Sequence, residues 1–323
     1  MKELMFSQAE NQAFDEEMQR DPTVFVMGED IGLYWGGPFG QFRGLIEKYG
    51  PKRIRETPIS EKAILGGAIG AAAAGMRPCA SMMFVDFLGC AFDEMINQLQ
   101  MRYMFGGKIK LPLTILAGIG AGRSTAAQHS KSMMGLLMGV KGLKIVVPST
   151  PYDVKGLLKS AIRDDNPVLV LTHKMLTPLK DPIPDEEYLI PLGKADVKRE
   201  GKDVTVVATA YMVHVALAAA DRLQNEGISV EVVDPRTLVP LDKQTILDSV
   251  KKTGRLVVIS EEPKTGSSAC QISAMVAEDG FDYLDAPIRV IGCPDTPVPF
   301  SPVLEKYFVP DADRLIKTIK EIA

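Results

Sequence analysis

Glu61 is a carboxylate that stands directly before a long run of small and apolar residues. It closes the stretch RETPISE, and residues 64–76 that follow read ILGGAIGAAAAGM. A carboxylate in the first turn of a helix can be only a polar cap, which the helix dipole stabilises by ~0.3–1 kcal/mol. A carboxyl group in apolar surroundings has a raised pKa, which suits it to proton transfer. Both interpretations stay open on these residues alone.

Two further residues have types suited to proton transfer. Glu29 follows the apolar run TVFVM in the motif MGED, and His129 follows the Gly-rich stretch GIGAGRS in the motif AAQHSKS. Both come after a predicted strand, and open α/β sheets bind ligands at the carboxyl ends of their strands. An imidazole there can relay protons near neutral pH, although a lone histidine is more often structural. The sequence does not show whether the two carboxylates meet.

Other kinds of site are disfavoured by what the same stretches lack. GIGAGRS follows a strand, but the third glycine of a dinucleotide fingerprint is replaced by Arg123, and no acidic residue follows before Asp153. No phosphate-binding loop of the GxxxxGK[ST] type occurs. The three histidines have unrelated spacings, so a zinc site is not expected. The cysteines form no CxxC pair and are predicted to be reduced, buried residues of a cytoplasmic protein: Cys79, Cys90, Cys270 and Cys293.

The elements that would position these residues alternate between apolar strands and helices. The strands are continuous apolar runs, which indicates parallel sheets covered on both faces. We predict an α/β protein with a first doubly wound domain over 1–175, a linker rich in proline and charge over 176–200, and a smaller doubly wound domain over 201–323. Residues 88–105 are predicted as one helix, and another is predicted to begin after Thr150 and to stop before Pro167.

Composition excludes two classes of partner. The chain has 323 residues, 46% hydrophobic and 24% charged, with a net charge of -4. That balance gives no general basic surface, so nucleic acid and anionic lipid are not expected as partners. The longest apolar run, residues 63–76, is shorter than the ~20 residues that span a bilayer.

Taken together, the motifs resemble the β subunit of thiamine-diphosphate-dependent 2-oxoacid dehydrogenases, which have a transketolase-like fold. The resemblance runs nearly end to end. The acetoin dehydrogenase branch is most similar through RYMFGGK, PSTPYD and TPVPFSPVLE, with the pyruvate and branched-chain 2-oxoacid branches close behind. The other motifs that carry it include MGED, RETPISEKAILGGAIGAAAAGMRP, FDEMINQ, QHSKS, IPLGKADVKREGKDVTVVA, EVVDPRTLVPLD and LDAPIRVI.

This resemblance implies a role for each candidate residue. Glu61 would meet N1' of the cofactor's aminopyrimidine, favouring the imino tautomer whose nitrogen takes the thiazolium carbon's proton to give the ylid. Ile59, Phe87 and Met83 would contact the cofactor. Glu29 would lie between paired active sites. His129 would handle the acyl intermediate and its transfer to a lipoyl group.

The resemblance also implies partners and ions. The α subunit would hold the diphosphate and its magnesium, since no GDG motif occurs in this chain, and the assembly would be an α2β2 heterotetramer. A lipoyl-bearing dihydrolipoamide acyltransferase would accept the acyl group. A potassium ion is implied near the end of the helix that precedes Pro167, where unpaired carbonyls attract positive charge. The matching positions are Leu113, Ala161, Ile162, Asp164 and Asn166.

Several positions depart from the family pattern. Ser81 replaces a usual acidic residue, Leu116 a usual arginine, Lys131 a common glutamine and Lys141 a common proline. These departures motivate an alternative hypothesis, a non-catalytic scaffold subunit of the same fold. A third hypothesis, a free-standing transketolase-like synthase, is weakened because the chain lacks the diphosphate motif.

Overall fold

The chain folds into two compact units that are interleaved in sequence. A computed structural model describes residues 1–32 and 34–323. Unit 1 contains Met1–Ile119 and Val140–Leu192, and unit 2 contains Gly120–Gly139 and Gly193–Ala323. The segment that carries His129 therefore packs with the C-terminal residues. The bounds 1–175, 176–200 and 201–323 stay a prediction.

Unit 1 is built on a parallel sheet. Its strands run in the order β6-β7-β5-β4-β2-β3, and each neighbouring pair is parallel. A separate antiparallel pair joins β1 to β8. The strands are β1 (Lys2–Met5), β2 (Val24–Gly28), β3 (Ile54–Glu56), β4 (Arg77–Phe84), β5 (Thr114–Ile119), β6 (Lys144–Val146), β7 (Val168–His173) and β8 (Lys180–Ile183).

Unit 2 is built on a second, smaller sheet. Its strands run in the order β14-β13-β10-β11-β9, parallel except for β9. The strands of this unit are β9 (Asp196–Arg199), β10 (Val204–Ala208), β11 (Val230–Asp234), β12 (Thr237–Val239), β13 (Leu256–Pro263) and β14 (Arg289–Cys293). The predicted fold class, α/β with two mostly parallel sheets, is confirmed.

The longer helices pack against the sheets through buried apolar residues. In unit 1, α1 and α7 contribute Phe14 and Leu158 to the same core as the strands. In unit 2, α8 and α12 do the same with Val213 and Leu315. The helices along the chain are α1 (Phe6–Arg20), α2 (Leu45–Tyr49), α3 (Glu61–Ala73), α4 (Phe92–Ile96), α5 (Met101–Met104), α6 (Met134–Met138), α7 (Pro151–Arg163), α8 (Tyr211–Gln224), α9 (Lys243–Thr253), α10 (Ser268–Asp279), α11 (Pro302–Phe308) and α12 (Ala312–Lys320).

The predicted start of α7 is confirmed by its cap. The Thr150 hydroxyl oxygen accepts a hydrogen bond from the Asp153 N–H at 3.0 Å, which satisfies one of the free amides of the first turn. Pro151 occupies the first helical turn, where its missing N–H costs nothing.

One predicted element is wrong. Residues 88–105 do not form one helix, because the chain there breaks into the 3₁₀ turns Val85–Ala91 and Gln98–Gln100 and the short helices α4 and α5. The stretch 176–200, predicted to be a linker, contains the strands β8 and β9. β8 pairs with β1 and β9 pairs with β11 through backbone hydrogen bonds. Because this pairing does not depend on apolar side chains, the polar residues there gave no signal of either strand.

The cysteine prediction is confirmed in part. All four thiols are free. Cys79 and Cys293 are buried, but Cys90 is exposed and Cys270 is half-buried. Among residues 1–32 and 34–323, no helix combines the length and apolar character needed to cross a membrane.

Candidate active site

Glu29 and Glu61 follow neighbouring parallel strands. Gly28, the last residue of β2, is in register with Glu56, the last residue of β3. The Thr57 N–H donates to the Gly28 carbonyl at 2.9 Å, so the two strand ends stay joined beyond the ladder. Glu29 comes next on one strand, and α3 begins at Glu61 on the other. The sheet thus brings both predicted carboxylates to its carboxyl edge.

The charge of Glu61 acts on the ionisation of Glu29. Burial raises the pKa of Glu29, and the negative charges of Asp30 and then Glu61 raise it further. Like charges that are close in space disfavour ionisation, because each adds to the cost of the other. Glu61 therefore lies close enough to Glu29 for its charge to disfavour ionisation of Glu29.

Glu61 has no hydrogen-bond or ion-pair partner in the part of the chain that the structure describes. Its side chain is half-buried and makes no hydrogen bond or ion pair with any residue among 1–32 and 34–323. The Ser60 side chain does not cap the helix either. Behind Glu61, α3 buries Ile64 and Leu65 in the unit. A carboxylate whose oxygens are held by none of the described residues is available to a ligand.

Apolar surface lies beside this carboxylate. Ile59, two residues earlier, is 72% exposed, which is unusual for an isoleucine. Phe87 is half-buried and meets Phe84 edge to face, with ring centroids 5.9 Å apart. Ile59 follows β3 and Phe87 follows β4, and these two strands flank β2 in the sheet.

Met83 occupies a strained position at the end of β4. Its φ of +52° is rare for a residue with a side chain. The register of β4 against β5 shifts between Ser81 and Phe84, so Met83 lies in a bulge. A side chain at Gly118 on β5 would begin 3.1 Å from the Met83 carbonyl oxygen, so the bulge lies close against the backbone of β5. Bulges and strained residues are concentrated beside functional sites.

Two of the departures from the family pattern form one structural change. Ser81 on β4 and Leu116 on β5 are register partners, and both are buried. The expected acid and arginine would therefore have faced each other, and this chain replaces both by neutral residues. Replacing both members leaves no unpaired charge in the interior, whereas replacing one would be strongly destabilising.

The predicted cation site converges in space around the end of α7. The Arg77 guanidinium donates to the carbonyl oxygens of Ile162 and Asp164, each at 3.0 Å. One carboxylate oxygen of Asp164 accepts from the Asn166 side chain at 2.8 Å, and the other from the Lys144 ammonium at 2.5 Å.

The two remaining carbonyls of this site also have partners. The Leu113 carbonyl accepts from the Val168 N–H, and the Ala161 carbonyl from the Asp164 N–H. Positive charge is thus already supplied there by two side chains. Among the described residues, no cluster of three or more His, Cys, Asp or Glu side chains could hold a metal ion.

His129 lies on the segment Gly120–Gly139, which belongs to unit 2. The residue is half-buried. The Thr125 hydroxyl donates to the His129 carbonyl at 3.2 Å and lies 2.7 Å from the Ser130 hydroxyl. The Lys131 ammonium, at a departure from the family pattern, donates to the Ala127 carbonyl at 2.5 Å. These short-range bonds give the loop a defined shape around the histidine.

Sequence analysis missed three carboxylates that bind this segment. Glu261 and Glu262 lie near the end of β13, and Glu305 lies on α11. All three are buried and accept hydrogen bonds from backbone N–H groups of residues 120–139. The available signal was the pair of adjacent glutamates at the end of the apolar run RLVVIS, a costly arrangement unless both are hydrogen-bonded.

The fold and the carboxylate site together define a transketolase-like class of protein. Residues 2–180 match the family model "Transketolase, pyrimidine binding domain", and residues 193–315 match "Transketolase, C-terminal domain". A solved structure described as "Split gene transketolase, inactive beta4 tetramer" has a TM-score of 0.79 at 24% identity, covering 99% of this chain and 98% of that one. That likeness shows the fold alone.

More specific relatives identify the family. The "Acetoin:2,6-dichlorophenolindophenol oxidoreductase subunit beta" of Cupriavidus necator is 49% identical over 324 residues, covering 97% of this chain and 96% of that protein. The "2-oxoisovalerate dehydrogenase subunit beta" of Bacillus subtilis is 44% identical over 326 residues, covering 100% of this chain and 99% of that protein. The chain belongs to the family of β subunits of acetoin and 2-oxoacid dehydrogenases.

Proposed function

We propose that this chain is the β subunit of a thiamine-diphosphate-dependent dehydrogenase that acts on acetoin or a 2-oxoacid. With an α subunit, it cleaves or decarboxylates the substrate and acylates the lipoyl group of an acyltransferase component. The observation that carries the proposal is Glu61. It is a half-buried carboxylate that no residue among 1–32 and 34–323 binds, its charge acts on a second carboxylate, and it lies in the part of the chain that matches the pyrimidine binding domain.

The residues around Glu61 fit an aminopyrimidine. Bound thiamine diphosphate would supply a thiazolium carbon that, once deprotonated, adds to a substrate carbonyl. The Glu61 carboxyl group would form a hydrogen bond with the N1' nitrogen and hold a proton there. None of the described residues occupies this carboxyl group. Ile59, Phe87 and Met83 would provide apolar contacts to the ring, and exclusion of water by them would strengthen the carboxyl–nitrogen hydrogen bond.

Glu29 and His129 have separate proposed roles. Glu29 would be an acidic residue of the active site whose ionisation depends on the charge of Glu61. This role is supported by the effect of Glu61 on the pKa of Glu29. His129 would assist acyl transfer to the lipoyl group, supported by its setting in a shaped loop after β5. Both roles are inferred from the family motifs together with these local surroundings.

The exposed apolar residues support a multisubunit enzyme. Beside Ile59, the outer face of α3 carries Ala63, Gly67 and Gly70, small residues that allow another chain to approach closely. In unit 2, residues 300–307 expose Phe300, Val303, Leu304 and Tyr307. Contiguous apolar surface of this kind marks protein interfaces. We infer an α2β2 assembly in which the α subunit provides the diphosphate and magnesium site.

Two finer inferences concern ions and location. A potassium ion near Asp164 is supported by the carbonyl oxygens that gather at the end of α7, although Arg77 and Lys144 already contact the same groups. A cytoplasmic location is supported by the four free thiols.

The test is reconstitution with an α subunit. The chain is co-expressed with its α partner, and reduction of 2,6-dichlorophenolindophenol is followed with acetoin, pyruvate and 2-oxoisovalerate in turn. We expect thiamine diphosphate-dependent turnover, highest with acetoin because the motifs are most similar to that branch. An assembled complex that turns over none of these substrates would overturn the proposal and favour the scaffold hypothesis.

A further inference from the structure

The segment that carries His129 is held in an unusual backbone shape. Between β5 and α6, Gly120 and Gly122 have positive φ, and so do Ser124 and Ala126, with φ of +50° and +57°. Residues with side chains rarely adopt this region, and each costs about 1–3 kcal/mol unless the surroundings enforce it. Something outside the segment must therefore hold it in place.

Apolar packing holds the two ends of the segment, where Ala121 at one end and Met134 and Leu137 at the other are buried. Ala121 is buried in a small cluster with Cys293, Val298 and Phe308. Further along, a cavity of about 180 Å³ is lined by Ser130, Ser132 and Met133 of the segment. Between its buried ends the segment thus borders a cavity, where close apolar packing cannot fix the backbone.

Buried carboxylates supply the missing attachment. One oxygen of Glu305 accepts from the Gly122 N–H at 2.8 Å, and the other from the Ser124 N–H at 2.8 Å. Glu261 accepts from the Ala121 N–H at 2.5 Å. Hydrogen bonds to an ionised acceptor are about twice as strong as neutral ones, and more so away from water.

The far end of the segment is fixed by a third carboxylate. Glu262 accepts from the Gly135 N–H at 2.6 Å, and its other oxygen accepts from the Ser268 N–H at 2.9 Å. A side chain at Gly135 would begin 2.1 Å from the Gly266 carbonyl oxygen, so the backbones pack directly against each other. The register of β13 shifts between Ile259 and Pro263, so the two adjacent glutamates depart from the ordinary alternation of a strand.

We propose that Glu305, together with Glu261 and Glu262, acts as a positioning residue that fixes the His129 segment onto unit 2. None of these carboxylates is a catalytic residue in this inference, because the role of each is to accept hydrogen bonds from the backbone N–H groups of the segment. The inference rests on the proposed function of His129 in acyl transfer. Glu305 is the most informative member, since it alone holds two amides on either side of Arg123.

The perturbation is Glu305→Gln in the full chain assembled with its α subunit. The amide keeps the shape but replaces one acceptor oxygen by an NH₂ group, which cannot accept from a backbone N–H. Glu305→Asp keeps the charge on a shorter side chain and should show an intermediate effect. Glu278→Gln, the same change at an exposed position of α10, is the matched control.

Two measurements read the segment without any activity. Amide hydrogen exchange at Gly122 and Ser124 should accelerate by about tenfold or more in Glu305→Gln, the size of a lost hydrogen bond. With ¹³C-labelled histidine, the resonance of His129 should shift while those of His173 and His214 stay in place. Glu278→Gln should match the wild type in both.

Activity then tests positioning. Lipoyl acylation should fall by ~10–100-fold, as expected for a displaced group, while dye reduction changes by less than about twofold. Unchanged exchange and an unmoved His129 resonance would overturn the inference. So would an equal loss of both activities, or shifts at all three histidines, since each indicates a general structural effect. A wild-type complex without turnover would instead refute the proposed function, with exchange and resonance still deciding whether Glu305 fixes the segment.

Discussion

Glu10 is a buried carboxyl group with a large predicted effect on stability. It lies on α1, only 2% of its surface is exposed, and its Oε1 atom has no hydrogen-bond partner among the described residues. Burial raises its pKa from 4.5 to about 8. The folded chain therefore binds this proton more tightly than the unfolded chain. The stabilisation is fully present below pH 4.5 and is lost as the pH rises toward 8.

The magnitude follows from that difference. One pKa unit corresponds to about 1.4 kcal/mol. Because Glu10 ionises in the unfolded chain and stays mostly protonated in the folded chain at pH 7, the free energy of unfolding is lower there by roughly 3 kcal/mol than at acid pH. At pH 5 the loss is less than about 1 kcal/mol. Glu10→Gln removes the titrating group and keeps the size. We expect it to stabilise the chain by roughly 3 kcal/mol at pH 7 and by much less at pH 5.

Urea unfolding at several pH values measures this directly. The single tryptophan, Trp35, belongs to unit 1, as Glu10 does, so its fluorescence and circular dichroism follow the relevant transition. Glu47→Gln, an exposed glutamate in the first turn of α2, is the matched control and should change little at any pH. If Glu10→Gln shifts stability equally at pH 5 and pH 8, the reasoning is refuted, because the effect would not come from titration.

Three further predictions concern the proposed site. His129→Ala should leave assembly intact and impair lipoyl acylation more than dye reduction; an equal loss in both assays would contradict its role in transfer. Asp30→Asn removes a charge that raises the pKa of Glu29, so the acid limb of the pH–rate profile should move to lower pH if Glu29 acts as a base, and an unmoved limb would exclude that role. Potassium chloride should raise the unfolding temperature of the complex above its value in the same concentration of choline chloride. Equal temperatures in the two salts would argue against the cation site at Asp164.

Local sequence signals predicted the elements that a single pattern marks, such as a continuous apolar run for a buried strand or a cap residue for the start of a helix. The run Val168–His173 is continuous and apolar and forms a buried strand. The cap at Thr150 and the proline at 151 mark the start of α7 correctly. Position after a strand also predicted that Glu29 would lie at the carboxyl end of a strand. That Glu61 follows the neighbouring strand became visible only with the pairing of β2 and β3.

Other features depend on contacts that no local pattern records. Residues 88–105 have helical periodicity, yet Val85–Ala91 and Gln98–Gln100 adopt 3₁₀ turns. The pairing of Ser81 with Leu116 comes from the register of β4 and β5, which only the folded sheet defines. Glu305 meets Gly122 across 183 residues of sequence, so its role is invisible until the chain is folded.

The central claim is that Glu61 activates bound thiamine diphosphate through N1'. The direct measurement is proton–deuterium exchange at the cofactor's thiazolium carbon in complexes of the α subunit with wild type, Glu61→Gln and the control Glu47→Gln. We predict that Glu61→Gln binds the cofactor and assembles normally but exchanges ~10²-fold more slowly or worse, the usual size of a lost acid–base contribution. If Glu61 only caps α3, the change should cost at most ~1 kcal/mol of stability. Exchange at the wild-type rate in Glu61→Gln would then contradict the claim.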